Sequence, residues 1–141
     1  MTEDEFRIDH SRLIENYQYI EMRLKGICAA MLADEEKNWF ERLGDYSEDT
    51  LGKLIRNIQT IQSEKNCALF TQDNFESLEQ IRKARNYWCH ECFGGDWPII
   101  FKRGKVMRQA HVERLLQDLR ESAECEEKLV EIMRSLHDYT E

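Results

Sequence analysis

Residues 9–33 read DHSRLIENYQYIEMRLKGICAAMLA, and this stretch decides the fold class. Its apolar side chains recur every three or four residues, at Leu13, Tyr17, Ile20, Leu24, Ile27 and Met31. Such spacing places one apolar stripe along an α-helix, whereas the side chains of a strand alternate between two faces. The stretch therefore predicts a long amphipathic helix.

Three further segments carry helical periodicity. Ser47 is a candidate N-cap for a second helix that should end near Lys65. Asp73 opens a third helix with a capping-box pattern, and the glycine pair that begins at Gly94 should end it. The segment from about 104 to 138 has no interior glycine or proline and predicts the longest helix. Its apolar residues at helical spacing are Val112, Leu116, Leu119, Ala123, Val130 and Met133.

Composition agrees with an all-α chain. Its 141 residues are 41% hydrophobic and 34% charged, with one proline, and form no run of alternating polarity that would indicate a sheet. We predict one domain over residues 1–141, an up-and-down bundle of about four main helices. The acidic start MTEDE and the absence of an apolar run of roughly 20 residues predict a cytoplasmic protein without a membrane segment.

The length of the last helix raises the question of a partner. A helix of thirty-odd residues is about 45 to 50 Å long, so part of it should extend beyond a bundle of this size. That end would expose Val130, Met133 and Leu136 unless a second subunit covers them. We therefore expect a homodimer, although a bend or break near residues 124–128 would also resolve the exposure.

The third helix carries a charge on its apolar side. Its stripe runs from Leu78 and Ile81 through Arg85 to Cys89, so a guanidinium that cannot lose its charge occupies a core-facing position. A buried arginine must be paired or must line a wet cleft. His90 follows five residues later, about 140° around a regular helix, so the two could flank one groove.

The string RNYWCH at residues 85–90, on a helix of a small all-helical domain, resembles the motif of the HEPN superfamily. The resemblance implies a metal-independent endoribonuclease of the toxin–antitoxin or abortive-infection kind, usually a dimer whose two motifs form one cleft. In such a site His90 would transfer protons at the ribose 2′-hydroxyl or the leaving oxygen, Arg85 would stabilise the phosphate, and Asn86 would orient one of them.

The resemblance has one departure and one alternative. A subgroup from toxin–antitoxin pairs has a tyrosine two places after the histidine, and this chain has Cys92 there, so regulation through that tyrosine is not expected. Some members of the superfamily keep the fold as a binding module without cleavage. An antitoxin or other regulatory protein is a further expected partner.

Basic residues are concentrated around the motif. Residues 82–108 contain seven basic and two acidic residues, a net charge of +5, whereas the rest of the chain has a net charge of −13. This distribution indicates a local polyanion site, with RNA as the expected ligand and DNA not expected. The candidate RNA-binding residues are Arg82, Lys83, Lys102, Arg103, Lys105 and Arg108. Nearby aromatics could stack bases, but for Trp88 we expect core packing.

Metal binding is the competing interpretation. Cys89, His90 and Cys92 resemble half of a zinc site, but no second CxxC or HxxxH supplies the other half. We therefore predict no metal and no cofactor. Two functions remain: an RNA-cleaving enzyme that uses Arg85, Asn86 and His90, or a non-catalytic module that binds a protein, RNA or nucleotide. A carboxylate facing Arg85 within the subunit, with a packed His90, would favour the module, and a solvent-filled two-fold cleft would favour the enzyme.

Overall fold

A computed structural model describes residues 1–92 and 109–140, with their side chains up to Leu136. Within these ranges the chain forms five α-helices and one π-helical turn and contains no strand, which confirms the prediction of an all-α bundle. No helix of the described part is both long and apolar enough to cross a membrane. The elements are α1 (Glu3–Leu32), α2 (Trp39–Asp45), α3 (Leu51–Glu64), α4 (Gln72–Asn86), the π-helical turn (Tyr87–Glu91) and α5 (Gln109–Thr140).

Helix α1 carries the stripe predicted from residues 9–33. Its six predicted apolar positions are all buried, from Leu13 through Met31. The helix begins six residues earlier than the quoted stretch because Thr2 and Glu5 form a capping box, in which each side chain accepts from the other residue's backbone N–H. Helix α1 thereby becomes 30 residues long.

Helix α2 was not predicted. Its seven residues are too few to show a period, but Asn38 caps it by accepting from the Glu41 N–H. The indole Nε1 of Trp39 donates to the carbonyl of Gly26 at 3.0 Å, which fastens α2 against α1.

The predicted caps of the next two helices were wrong by a few residues. Helix α3 is capped by Thr50, whereas the Ser47 hydroxyl donates to the carbonyl of Gly44 in the preceding turn. Helix α4 is capped by Thr71 in a capping box with Asn74, so Asp73 lies in the first turn instead. The predicted stop at Gly94 and Gly95, and the predicted start of the last helix at 104, lie outside the described residues.

Helices α1 and α5 pack side by side along most of their length and run in the same direction. Asn16 bonds to Ser122 at 3.0 Å, and further along both helices Arg23 lies 3.7 Å from Glu126. Since α5 has 32 residues and α1 has 30, the expected free end of α5 does not exist. Met133 and Leu136 pack against the core of the same subunit, and Val130 is half-buried, so the expected exposure that motivated the homodimer is not found.

The buried face of α5 is rotated from the predicted one. We expected Leu116 and Ala123 to face the core, but both are exposed, and the core-facing positions are Leu115, Ser122, Leu129 and Ile132. The sequence offers two adjacent apolar residues at 115–116 and again at 132–133, so its period does not select one face. With the observed face turned towards the core, the buried Ser122 hydroxyl accepts a hydrogen bond from the Asn16 side chain of α1.

Candidate functional site

Arg85 lies in the last turn of α4 and faces α1. Its Nη2 is 3.0 Å from Oε1 of Glu21, and the two side chains are 27% and 18% exposed. Oε1 of Glu21 is buried and accepts no hydrogen bond. The contact is therefore an ion pair in which the N–H groups of Arg85 do not point at this oxygen. The core-facing arginine is therefore paired with a carboxylate from another helix of the same subunit, as the binding-module interpretation requires.

The residues after Asn86 form a π-helical turn, and this changes the geometry of the motif. The N–H of Cys92 donates to the carbonyl of Tyr87 at 2.8 Å, five residues back. A turn closed over five residues holds one residue more than an α-helical turn. Positions 85 and 90 consequently lie closer around the helix axis than the roughly 140° of a regular α-helix.

The other two motif residues differ in their surroundings. Asn86 is half-buried at the end of α4, and His90 is exposed on the π-helical turn. Neither side chain makes a hydrogen bond to another residue that the structure describes. His90 is thus not packed and dry, so the structure meets one of the two conditions for the binding module and not the other.

A group of titratable side chains surrounds the ion pair between α1, the π-helical turn and α5. Tyr17 is buried and its hydroxyl has no hydrogen-bond partner within the described part of the chain. Burial raises the pKa of this phenol well above its usual value, and the nearby Asp118 raises it further. Burial also raises the pKa of Cys89, against the lowering effect of Arg85. The sulfur of Cys89 is therefore a neutral thiol and not a nucleophilic thiolate at neutral pH.

Trp88 anchors the π-helical turn in the core, as expected. It is 1% exposed, and its Nε1 donates to Oδ2 of Asp118 on α5 at 2.7 Å. Its carbonyl oxygen lies 3.0 Å from Nε2 of His10 and 3.0 Å from Sγ of Cys92. The turn is therefore attached to both α1 and α5, which fixes the side from which His90 emerges.

Arg114 of α5 completes this region. Its guanidinium carbon lies 3.5 Å from the centroid of the Tyr87 ring and 5.8 Å from that of Trp88. Its Nε is 3.8 Å from Asp118, and the side chain is 47% exposed. The surface between α1, the π-helical turn and α5 thus carries two part-exposed arginines, Arg85 and Arg114, each with a carboxylate beside it.

The predicted RNA-binding residues do not all lie beside the motif. Arg82 pairs with Glu79 on its own helix, and its aliphatic part approaches Gly52 of α3 rather than α1. Lys83 is exposed and remains a candidate. The other four, Lys102, Arg103, Lys105 and Arg108, lie outside the described residues.

The CHEC residues do not converge on one point. Cys92 is buried with its sulfur against the Trp88 carbonyl, Cys89 is half-buried, and His90 is exposed. Among the described residues, no group of three or more His, Cys, Asp or Glu side chains is arranged to hold a metal ion. None of the five cysteines, all of them within the described residues, forms a disulfide, and Cys67 is exposed rather than part of the core.

Sequence reasoning missed Glu21, Tyr17, Arg114 and Asp118. Glu21 follows a core residue and Tyr17 is itself part of the α1 stripe, so their sequence signals are those of an ordinary amphipathic helix. Only the packing of α1 and α5 against α4 brings them to the motif. No protein-family model, curated protein or solved structure matches the chain.

Proposed function

We propose that this chain is a HEPN-like, metal-independent endoribonuclease in which Arg85, Asn86 and His90 form the cleaving site. The observation that carries the proposal is the π-helical turn, because it brings an exposed imidazole towards the side of the helix that bears Arg85. π-Helical turns are rare and occur often at functional sites. The extra residue reduces the angle between these two side chains, which a regular α-helix would hold about 140° apart.

The chemistry assigned to these groups is transesterification. The ribose 2′-hydroxyl attacks phosphorus, the bond from phosphorus to the 5′ oxygen breaks, and a 2′,3′-cyclic phosphate and a 5′-hydroxyl result. His90 takes the proton from the 2′-hydroxyl or gives one to the leaving oxygen, since imidazole is the side chain suited to both near neutral pH. Arg85 stabilises the charge on the phosphate, and Asn86 orients either partner.

The ion pair with Glu21 is compatible with this role for Arg85. A guanidinium has five N–H donors, and the contact with Glu21 occupies only Nη2. Glu21 would hold the arginine in place while the remaining donors face the phosphate. The Glu21 carboxylate also weakens the attraction of Arg85 for an anion. A second copy of the chain that contributed its own Arg85 and His90 to one cleft would add positive charge and a second imidazole beside the phosphate.

A non-catalytic binding module is the second candidate, and one observation favours it. Glu21 neutralises Arg85 without any ligand, which is what a structural ion pair does. In this function the helical surface around His90 would bind a protein partner, RNA or a nucleotide, and the motif would stabilise the junction of α1 and α4.

The deciding experiment is cleavage of a mixed pool of single-stranded and structured RNA in EDTA. We would compare the wild type with His90→Ala, and with His111→Ala as a matched histidine outside the motif. The proposal expects cuts with cyclic phosphate ends by the wild type and His111→Ala, and none by His90→Ala. Cutting by all three would indicate a contaminating nuclease, and cutting by none would favour the binding module.

A second experiment tests the composite cleft. Arg85→Ala and His90→Ala proteins are each inactive under the proposal, and we would mix them after partial unfolding to allow subunit exchange. Recovery of cleavage in the mixture, together with a dimer mass by ultracentrifugation, would support a site shared between two copies. A monomer that cleaves RNA would refute the shared site and leave the ribonuclease.

A further inference from the structure

We propose that the guanidinium of Arg114, lying on the Tyr87 ring, is a stacking platform for one unpaired nucleobase of the RNA. This inference rests on the proposed function and names the form of RNA that the site accepts. A separation of 3.5 Å between the guanidinium carbon and the ring centroid is the contact distance of two stacked planes, so the guanidinium lies flat on the ring. Nearly half of the Arg114 side chain is exposed, and the Tyr87 ring covers one face of the guanidinium.

The platform is held in place before any ligand arrives. Asp118 lies 3.8 Å from the Arg114 Nε, and the same carboxylate oxygen accepts a 2.7 Å hydrogen bond from the buried Trp88 indole. Tyr87 supports the opposite face of the guanidinium. Because the arginine is already ordered, a ligand that stacks on it loses less side-chain entropy on binding.

The charges around Arg114 favour a base over a phosphate. Asp118 pairs with the arginine, and Glu121 is close enough to raise the pKa of Asp118. Carboxylates beside the cation reduce its attraction for a phosphate but leave its planar face available. Arginine planes stack unpaired bases in RNA-binding proteins, and such stacking does not require net positive charge.

The position of the platform connects it to the motif. Tyr87 begins the π-helical turn that carries His90. On α1, Tyr17 lies close enough to both Arg114 and Cys89 of that turn for each to affect its pKa, so the platform and the turn border the same part of α1. A base stacked on Arg114 would therefore hold the adjoining nucleotides beside the π-helical turn. In a duplex both faces of a base are already stacked, so the platform selects RNA that is single-stranded at the bound nucleotide.

The test measures binding in a His90→Ala background, which prevents cleavage under the proposed function. Fluorescence anisotropy would follow a short unstructured RNA and a series in which an abasic nucleotide replaces each nucleotide in turn. We expect one abasic position to weaken binding between about 5-fold and about 150-fold. Arg114→Lys keeps the charge and removes the plane, so it should weaken the intact RNA similarly and abolish the sensitivity to that abasic position.

Two further variants keep the test sharp. Arg120→Lys changes an exposed arginine of the same helix and should bind as the parent does. Tyr87→Phe keeps the supporting ring and should retain the abasic sensitivity, whereas Tyr87→Leu should lose it. Circular dichroism would confirm that each variant is folded.

The outcomes separate this inference from the proposed function. RNA binding that shows no sensitive abasic position, or that Arg114→Lys weakens equally for intact and abasic RNA, would overturn the platform and leave the ribonuclease intact. Failure of the wild type to cleave and of the parent to bind any RNA would refute both.

Discussion

Replacing Arg85 by alanine tests whether the motif arginine also supports the fold. The change leaves the Glu21 carboxylate beside α4 without its cation, and Oε1 of that carboxylate is buried. Exposed ion pairs contribute about 0 to 1 kcal/mol, whereas orphaning one partner of a fully buried pair costs about 3 to 5 kcal/mol. The two side chains are 27% and 18% exposed and so lie between these cases. We expect Arg85→Ala to cost about 2 kcal/mol.

The assay is urea unfolding followed by far-ultraviolet circular dichroism. With an m-value of about 2 kcal/mol per molar, the expected loss lowers the unfolding midpoint by about 1 M. A double-mutant cycle with Glu21→Gln isolates the pair, since the amide keeps the shape of the carboxylate and removes its charge. The double variant should be more stable than Arg85→Ala alone because no buried charge is left unpaired.

Two results would refute this reasoning. An unchanged midpoint for Arg85→Ala would mean that the pair contributes nothing to the fold. A coupling energy below about 0.5 kcal/mol would mean that Glu21 and Arg85 act independently. The same Glu21→Gln protein also reports on function, because the ribonuclease should lose cleavage rate with little loss of RNA affinity if Glu21 positions the guanidinium.

Two other predictions follow from burial. Cys67 is exposed and should react first with iodoacetamide at pH 8. Burial raises the pKa of Cys28 and of Cys125 to about 12, so both thiols should stay unmodified. Mass spectrometry of the digested protein gives the order of labelling, and early labelling of Cys28 would contradict this prediction. Burial raises the pKa of Asp118 above its ordinary 3.8, so the native state binds the proton more tightly than the unfolded state does. The stability that this group contributes is therefore lost as the pH rises through the folded-state pKa. In urea unfolding over a pH series, the free energy of unfolding of Asp118→Asn should rise relative to that of the wild type as the pH rises from 3.8, and the difference should level off above the folded-state pKa. A difference that does not depend on pH would disprove the shift.

The sequence was informative where one helix face was unambiguous. The α1 stripe was predicted position by position because its six residues keep one alternating spacing of four and three from Leu13 to Met31. The predicted α5 face was only partly correct: Val112, Leu119 and Met133 pack against the core, whereas Leu116 and Ala123 are exposed. Adjacent apolar residues at 115–116 and 132–133 permit two rotations, and packing against α1 decides between them. The N-cap predicted for α3 was wrong for a similar reason. Ser47 and Thr50 are both suitable N-cap residues, and only the surrounding contacts select Thr50.

The site at Arg85, Asn86 and His90 stays a prediction, and its geometry did not follow from the sequence. The sequence placed Arg85 on the core-facing line, but the identity of its partner depends on how α4 crosses α1, which no local pattern specifies. The π-helical turn was also hidden, because a period of 3.6 residues was assumed throughout the helix. Its origin lies in tertiary contacts of Trp88 with Asp118 and His10, which fix the rotation of the chain after Asn86.

A π-helical turn is equivalent to one residue inserted into an α-helix, and this gives residues 87–91 a different tolerance of length from the rest of α4. Deleting one residue there would let the backbone return to regular α-helical hydrogen bonding, whereas a deletion earlier in α4 would rotate Leu78 or Ile81 out of the core. The inserted residue therefore works as a register adjustment: it sets the direction in which His90 leaves the helix, independently of the packing before it. In a lineage of such proteins, gain or loss of one codon at this point would switch the motif between two arrangements without rebuilding the bundle.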